Sequence, residues 1–273
     1  MHEILRLLPS DARVLDLGCA TGSFPEDQCA ATIIRYDLDC HPTEKGSAAF
    51  VCGDARTLPF RDRSFNAAIL NHSLEHFSDP GIVLSEIKRV LDEPAYLYVA
   101  VPDASTITDR LYRWLARGGG HVNQFTDADS LVRLIEEKTN LSHVGTRLLF
   151  TSFSFMNRYN CRTRPPRRLY LVGGGAEWVL RLATFILRKT DKLLGTRTSI
   201  YGWAFCFGAD VAFDTRPWSN TCVRCGSGHP SDSLVAREQV RPGMFGFGPR
   251  LFRCPACGTE NYFTEDQAFL SMR

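Results

Sequence analysis

Short apolar runs alternate with stretches of helical periodicity through the first 150 residues of the chain. That alternation predicts a parallel β-sheet covered by helices. The predicted strands are Arg13–Leu17, Thr32–Tyr36, Phe50–Cys52, Ala67–Leu70 and Tyr96–Val101. Several are apolar throughout, as strands buried on both faces should be. Between the last two, "SDPGIVLSEIKRVLDEP" reads as a helix. Ser78 or Asp79 caps it, Pro80 suits its first turn, and Ile82, Val83, Ile87, Val90 and Leu91 form its buried stripe. Pro94 is expected to end it. "FTDADSLVRLIEEKTN" predicts a further helix, with Thr126 as cap and Asp129 in a capping-box position. "LSHVGTRLLF" and "SIYGWAFCFGADVAF" read as a sixth and a seventh strand. Between them lie a Pro- and Gly-punctuated loop, "RTRPPRRLYLVGGG", and a helix, "AEWVLRLATFILRKTDKLLG". On that helix Trp178, Leu182, Phe185 and Ile186 share one face, expected to be core or lid, with a membrane surface as the alternative.

Composition sets the outer limits. The chain has 273 residues, of which 44% are hydrophobic and 23% charged, as in soluble globular proteins. The predicted organisation is one large α/β domain over 1–215, with an insert at 151–198, followed by a small module at 216–273. No apolar run approaches the roughly 20 residues that span a bilayer. "MHEILRLLPSDARVLD" lacks the layout of a signal peptide, so a cytoplasmic location is expected, with thiols outside any metal site reduced. The net charge is +2, but 151–198 alone carries +8. That insert could face an acidic or phosphorylated partner, nucleic acid or a lipid surface, or be a solvated basic face.

The first strand runs into a glycine turn, "VLDLGCATGSF", of a kind that cradles ligands. A nucleoside-triphosphate loop needs a lysine after its last glycine, and here Ser23 and Phe24 follow Gly22. A dinucleotide turn needs G-x-G-x-x-G, and here Gly18 and Gly22 are separated by three residues with Ala20 between them. Neither phosphate pattern fits. The second strand ends at Asp37, placed to accept from a ribose diol, and the third is followed by Asp54, placed to accept from an adenine amine. Together they describe a pocket for an adenosine without phosphates.

With "YDLD", "CGDARTLPFRDRSFNAAILNHSLEHFSDP" and "EIKRVL" added, residues 10 to 150 resemble a class I S-adenosylmethionine-dependent methyltransferase. The resemblance implies a Rossmann-like seven-stranded sheet with helices on both faces. It implies that Gly18, Ala20 and Gly22 admit the methionine part of the cofactor and that Asp16 helps to hold its amino group. Asp37 would hold the ribose, Asp54 and the Ala55 amide would frame the adenine, and Asn71 would line the floor near the sulfonium. The chain departs from the family pattern at Ala20, at Asn66 in place of an acid, at Pro25 in the helix after the turn, and at "DEPA" in place of glycines.

Methyl transfer requires an acceptor aligned with the S–CH3 bond, and a hydroxyl or ammonium acceptor must lose a proton to a base. His121, in "GGGHVNQF", and His76, in "SLEH", are the candidate bases; His72 and Glu75 are weaker ones. Each could instead be a hydrogen-bonded structural residue. Tyr112, Arg113 and Trp114 shape a substrate mouth or belong to an ordinary amphipathic helix.

The last module carries Cys222, Cys225, Cys254 and Cys257 as two C-x-x-C pairs with 28 residues between them. Each pair is followed by a glycine. Four thiolates so spaced suit a tetrahedral structural zinc ion, with two unpaired redox pairs or an iron–sulfur site as the alternatives. The pattern resembles a zinc ribbon, with His229 as a spare ligand. The expected activity is methylation of an oxygen or nitrogen on a small molecule, lipid or glycan. RNA is the alternative acceptor, although no D/N-P-P-[YF] motif follows the fourth strand and no aromatic platform is evident. A non-catalytic cofactor-binding scaffold is the other alternative.

Overall fold

The structure, a computed structural model, describes residues 5, 8–20, 22–23, 30–40, 49–115, 120–160, 174–208, 213–243 and 248–266. The short helix expected after the glycine turn and the basic loop at 161–173 lie outside these residues. The chain forms two compact units. The first comprises Met1–Asp103, Gly120–Arg147 and Trp203–Thr215; the second comprises Ala104–Gly119, Leu148–Gly202 and Arg216–Arg273. The insert and the cysteine module thus fall in one unit.

Seven strands make the main sheet: β1 (Arg13–Leu17), β2 (Thr32–Asp37), β3 (Ala49–Cys52), β4 (Phe65–Asn71), β5 (Leu91–Pro102), β6 (His143–Phe150) and β7 (Ile200–Gly208), in the order β3-β2-β1-β4-β5-β7-β6. The pairs β1–β2, β1–β4, β2–β3 and β4–β5 are parallel. Val14, Leu15, Leu17, Ala67, Ala68, Ile69, Leu70, Leu97 and Val99 are all fully buried. The unbroken apolar runs follow from that burial, since a central strand has no polar face. The order reverses at β1 and β4, where the carboxyl ends of neighbouring strands diverge and leave a crevice.

Helix α1 (Pro80–Val90) is capped by Asp79, whose Oδ1 accepts from the Ile82 amide at 3.0 Å. It ends at Val90 because Leu91 already pairs with Phe65 and begins β5. Pro94 therefore lies within the strand and does not terminate the helix. Its buried residues are Val83, Leu84, Ile87 and Val90, while Ile82 faces solvent. Helix α3 (Ala128–Thr139) is capped by Asp127, one residue beyond the expected Thr126; its carboxylate takes the Ser130 amide at 3.1 Å. Cys40 and Cys52 form a disulfide where reduced thiols were expected, because the turn after β2 returns beside the end of β3.

The second unit holds α2 (Ile107–Leu115), α4 (Glu177–Leu194) and the cysteine module, with its short strands and the helix α5 (Ser231–Ala236). Leu115, Phe153, Met156, Leu180 and Val223 form one core, and Cys222, Leu234, Phe252, Cys254 and Phe263 another. The orientation of α4 departs from the expected core face. Trp178, Leu182 and Ile186 are exposed and Phe185 is part-buried against Tyr262, whereas Leu180, Thr184, Arg188 and Asp191 are buried. The reason is polar. Arg188 donates to the Thr151 carbonyl at 2.9 Å and to the Thr221 hydroxyl. Asp191 accepts from the Thr196 hydroxyl, from the amide and hydroxyl of Thr198, and from the amide and hydroxyl of Ser199. Burial pushes the Asp191 carboxyl up, but these donors outweigh it and hold it below its ordinary value.

Removing the acceptor would strand five donors in a buried site. Asp191→Ala is expected to lower stability in urea unfolding by about 3 kcal/mol. A loss below about 0.5 kcal/mol, the ordinary range for surface substitutions, would show that the network does not fix the helix.

Candidate active site

The glycine turn is built by close approach. Gly18 has φ +67°, and its amide donates to the Tyr36 carbonyl at 2.8 Å. A Cβ there would lie 2.5 Å from the Ser73 Cβ and 3.4 Å from the Phe77 ring. Ser73 uses that space to donate its hydroxyl to the Leu17 carbonyl at 2.8 Å, fully buried. Gly22 has φ +113°, and a Cβ there would meet the Arg35 guanidinium at 2.4 Å. Ala20 also takes a positive φ, +46°.

Three acids stand at successive strand ends. Asp16, fully buried, accepts from the Ser23 hydroxyl at 2.6 Å and the Ser23 amide at 3.0 Å. Burial raises its carboxyl above the usual range against the pull of those bonds and of Arg35. Asp37 accepts the Ala20 amide at 2.7 Å and the Asp39 amide at 3.1 Å, which ties the glycine turn to the end of β2. A carboxylate has about four acceptor positions, so capacity remains for a ligand's hydroxyls. Asp54 is clamped by Arg56, whose Nε lies 3.0 and 3.1 Å from its two oxygens and whose terminal nitrogen is 2.6 Å away. Those bonds hold its pKa down at about 2. Ala55 beside it is buried, and Asn71 closes β4 opposite Ala100.

The same approach of Ser73 and Phe77 to Gly18 seats the turn between them, Leu74–His76, against the glycine turn. His76 donates from Nδ1 to the Gly120 carbonyl at 3.0 Å. The amides of Val122 and Asn123 both donate to the Glu75 carbonyl at 2.9 Å, and Asn123 Nδ2 donates to the Phe77 carbonyl at 2.6 Å. These bonds bring His121 to His76, with ring centroids 4.9 Å apart and nearly perpendicular. One ligand atom each from buried Glu75, His76 and His121 lies within 4.8 Å of the others. His72 Nδ1 is 3.9 Å from Glu75 Oε1. Burial, with His121 and His76 nearby, pushes the His72 pKa down to about 4, so it is neutral at pH 7. A third of that side chain still reaches solvent. The structure thus gathers every histidine and acid named around the fourth strand into one cluster.

Tyr112, Arg113 and Trp114 belong to the second unit. There Tyr112 packs edge-on against Phe155, and Arg113 is held by Asp109 at 2.7 Å and by the Ala104 carbonyl at 2.9 Å. The four cysteines lie within 4.8 Å of one another, with Cys222 and Cys257 sulfurs 3.5 Å apart and Cys225 and Cys254 sulfurs 3.6 Å apart. His229 Nε2 is 3.4 Å from Cys254 Sγ, at the edge of that group. Sequence reasoning missed Arg35 and Ser23. The signal for Arg35 was a charged residue inside an otherwise apolar strand, "TIIRYD".

Residues 1–144, just over half the chain, match the family model described as a methyltransferase domain. The chain belongs to that family. Among curated proteins it is 26% identical over 235 residues to the malonyl-[acyl-carrier protein] O-methyltransferase of Laribacter hongkongensis, covering 74% of this chain and 78% of that one. It is 32% identical over 95 residues to the demethylmenaquinone methyltransferase of Renibacterium salmoninarum, covering 32% of this chain and 40% of that one. Among solved structures, an S-adenosylmethionine-dependent methyltransferase from Archaeoglobus fulgidus aligns with a TM-score of 0.48 at 18% identity, over 72% of this chain and 86% of that one.

The protein is therefore a class I S-adenosylmethionine-dependent methyltransferase, and the seven-stranded sheet matches that fold. The donor set fits the cofactor: acceptors for hydroxyl and amine groups stand at the strand ends, and the turn lacks a phosphate-binding lysine. In this methyltransferase Gly18→Ala forces a left-handed side chain into Ser73, at a cost of roughly 1–3 kcal/mol. Thermal unfolding should fall, and calorimetric affinity for S-adenosylmethionine should weaken at least tenfold. Wild-type affinity in the variant would show that the close approach does not shape the pocket.

Proposed function

We propose that this methyltransferase methylates an oxygen or nitrogen of a small-molecule, lipid or glycan acceptor. In this reading His121 and His76 contact the acceptor and take its proton. The observation that supports it is the cluster of Glu75, His76 and His121 on a turn packed directly against Gly18. S-adenosylmethionine supplies an electrophilic methyl on a sulfonium. Asp37 would orient the ribose from the end of β2. Asp54, with the Ala55 amide, would face the adenine, and Asp16, already oriented by Ser23, would bias the turn toward an ammonium group. Gly18, Ala20 and Gly22 leave room for the methionine portion, and Asn71 lies at the floor.

The histidines carry the acid–base step. The Nδ1–H of His76 is committed to the Gly120 carbonyl, which places the proton on that nitrogen and leaves Nε2 as the acceptor. His121 stands beside it on a segment held by three backbone-directed bonds, so both rings are positioned before the acceptor arrives. A relative named as a malonyl-[acyl-carrier protein] O-methyltransferase supplies the first oxygen acceptor to try, and demethylmenaquinone, the substrate in another relative's name, serves as the carbon-acceptor comparison. With an accepted substrate, His121→Ala and His76→Ala should each lower kcat by about 100-fold or more and leave S-adenosylmethionine affinity unchanged. Rates within twofold of wild type in both variants would remove the histidines from the chemistry.

The cysteine module is read as a zinc ribbon. Zinc–sulfur bonds of about 2.3 Å give tetrahedral edges of about 3.8 Å, close to the sulfur separations of the two pairs. Cys222, Cys225, Cys254 and Cys257 would hold the ion in a closed set, and its role would be structural. Purified protein should carry one zinc per chain, and Cys254→Ser should lose it together with the module's thermal transition. A metal-free wild type with unchanged unfolding would dismiss the ribbon.

A further inference from the structure

One face of α4 is strongly patterned. Trp178, Leu182, Ile186 and Leu193 follow one another along it with 64%, 43%, 51% and 81% of their surface exposed. The stripe cannot be buried by rolling the helix. Arg188 and Asp191 on the opposite side are locked by their hydrogen bonds, so rotation would break both networks. Lys189 and Lys192 are exposed on the same side of the helix. Beside them lies a cleft lined by Phe185, Pro249, Phe263, Lys189 and Lys192; Arg188 at its wall is buried on Thr151 and Thr221, and Arg250 is paired with Glu265.

We propose that this face is a docking surface for an anionic phospholipid bilayer. In it α4 lies in the plane of the interface and Lys189 and Lys192 take phosphate headgroups. Three features select that occupant. The helix has 18 residues, about 27 Å, and its exposed apolar residues run from Trp178 near one end to Leu193 near the other, as contact with a flat surface requires. The stripe begins with a tryptophan, carries Lys189 within it and has Lys192 on its flank, and both stems are long enough to lift their charges to headgroup level. Lys189 and Lys192 place positive charge where an inserted stripe would bring phosphates. The surface attaches and does not span: no helix among the described residues is long and apolar enough to cross a membrane.

The test is flotation of the full-length protein with vesicles of phosphatidylcholine alone and of phosphatidylcholine mixed with phosphatidylglycerol, at low and high salt. The wild type should bind the mixed vesicles, bind the neutral ones at least about tenfold less tightly, and lose affinity as salt rises. Lys189→Gln with Lys192→Gln should weaken binding about tenfold or more, and so should Trp178→Ser with Leu182→Ser. These side chains are exposed, so unfolding temperature and S-adenosylmethionine binding should match wild type and report intact folding. No preference for anionic vesicles, or binding unchanged in both variants, would overturn the proposal. Retention of an RNA oligonucleotide through Lys189 and Lys192 without vesicle binding would overturn it in favour of a nucleic-acid surface.

Discussion

The contact on which the first unit depends is the hydrogen bond from Ser73 to the Leu17 carbonyl across the space that a Cβ at Gly18 would fill. It joins the ends of β1 and β4 at the place where the order of strands reverses. A strand end normally leaves backbone groups to water or to a loop. Here a buried hydroxyl satisfies one of them, so the two strand ends cannot drift apart. The glycine turn on one side and the turn carrying Glu75 and His76 on the other therefore move as one piece. Asp37 extends this frame by accepting the Ala20 amide, so the second strand end is fixed to the same turn. In the proposed function, one small set of backbone contacts would position the groups for both cofactor and acceptor.

The second unit is organised by different means. Its long helix turns an arginine and an aspartate inward and several large apolar residues outward. That choice is stable because each buried charge is engaged by hydrogen bonds. Asp191 gathers hydroxyls and amides from the turn that follows its own helix, and Arg188 reaches Thr151 and Thr221. Thr221 immediately precedes Cys222, so the arginine also ties the helix to the first cysteine knuckle. Asn157, donating to the Val223 carbonyl, and the Glu177–Arg224 ion pair secure the same knuckle.

The strands of the first unit were legible because burial on both faces leaves an apolar run that few alternatives explain. β1 was read to the residue, and β4 and β5 only grew longer. The acids at the strand ends were legible for a related reason: an acid directly after an apolar run must lie at its mouth. What was not legible is whatever depends on partners distant in sequence. Arg35 reads as an oddity in a strand until Asp16 and Gly22 are seen beside it. The orientation of α4 was misread because apolar periodicity assigns the inward face only when the polar face lacks buried partners. Nothing local announces that Ser199 and Thr221 will supply them. The ends of α1 and α3 were displaced by a pairing strand and by a neighbouring aspartate that competed for the cap, choices separated by small energies.

Electrostatics narrows the chemistry at the strand ends further. Cys19 sits in the glycine turn, but burial and the charges of Asp16 and Asp37 push its thiol up to about 12, so it offers no thiolate at neutral pH. His72 is held neutral by burial and by its histidine neighbours. Two groups that could have been nucleophile or acid are thus kept uncharged beside a site expected to admit a sulfonium. A thiolate there would compete with the acceptor for the methyl group, and an imidazolium would repel the cationic cofactor. At this edge His76 stays exposed, His72 and His121 are part-buried, and the segment of His121 is tied down by backbone bonds. Burial at this edge therefore removes rival chemistry, whatever group serves as the base.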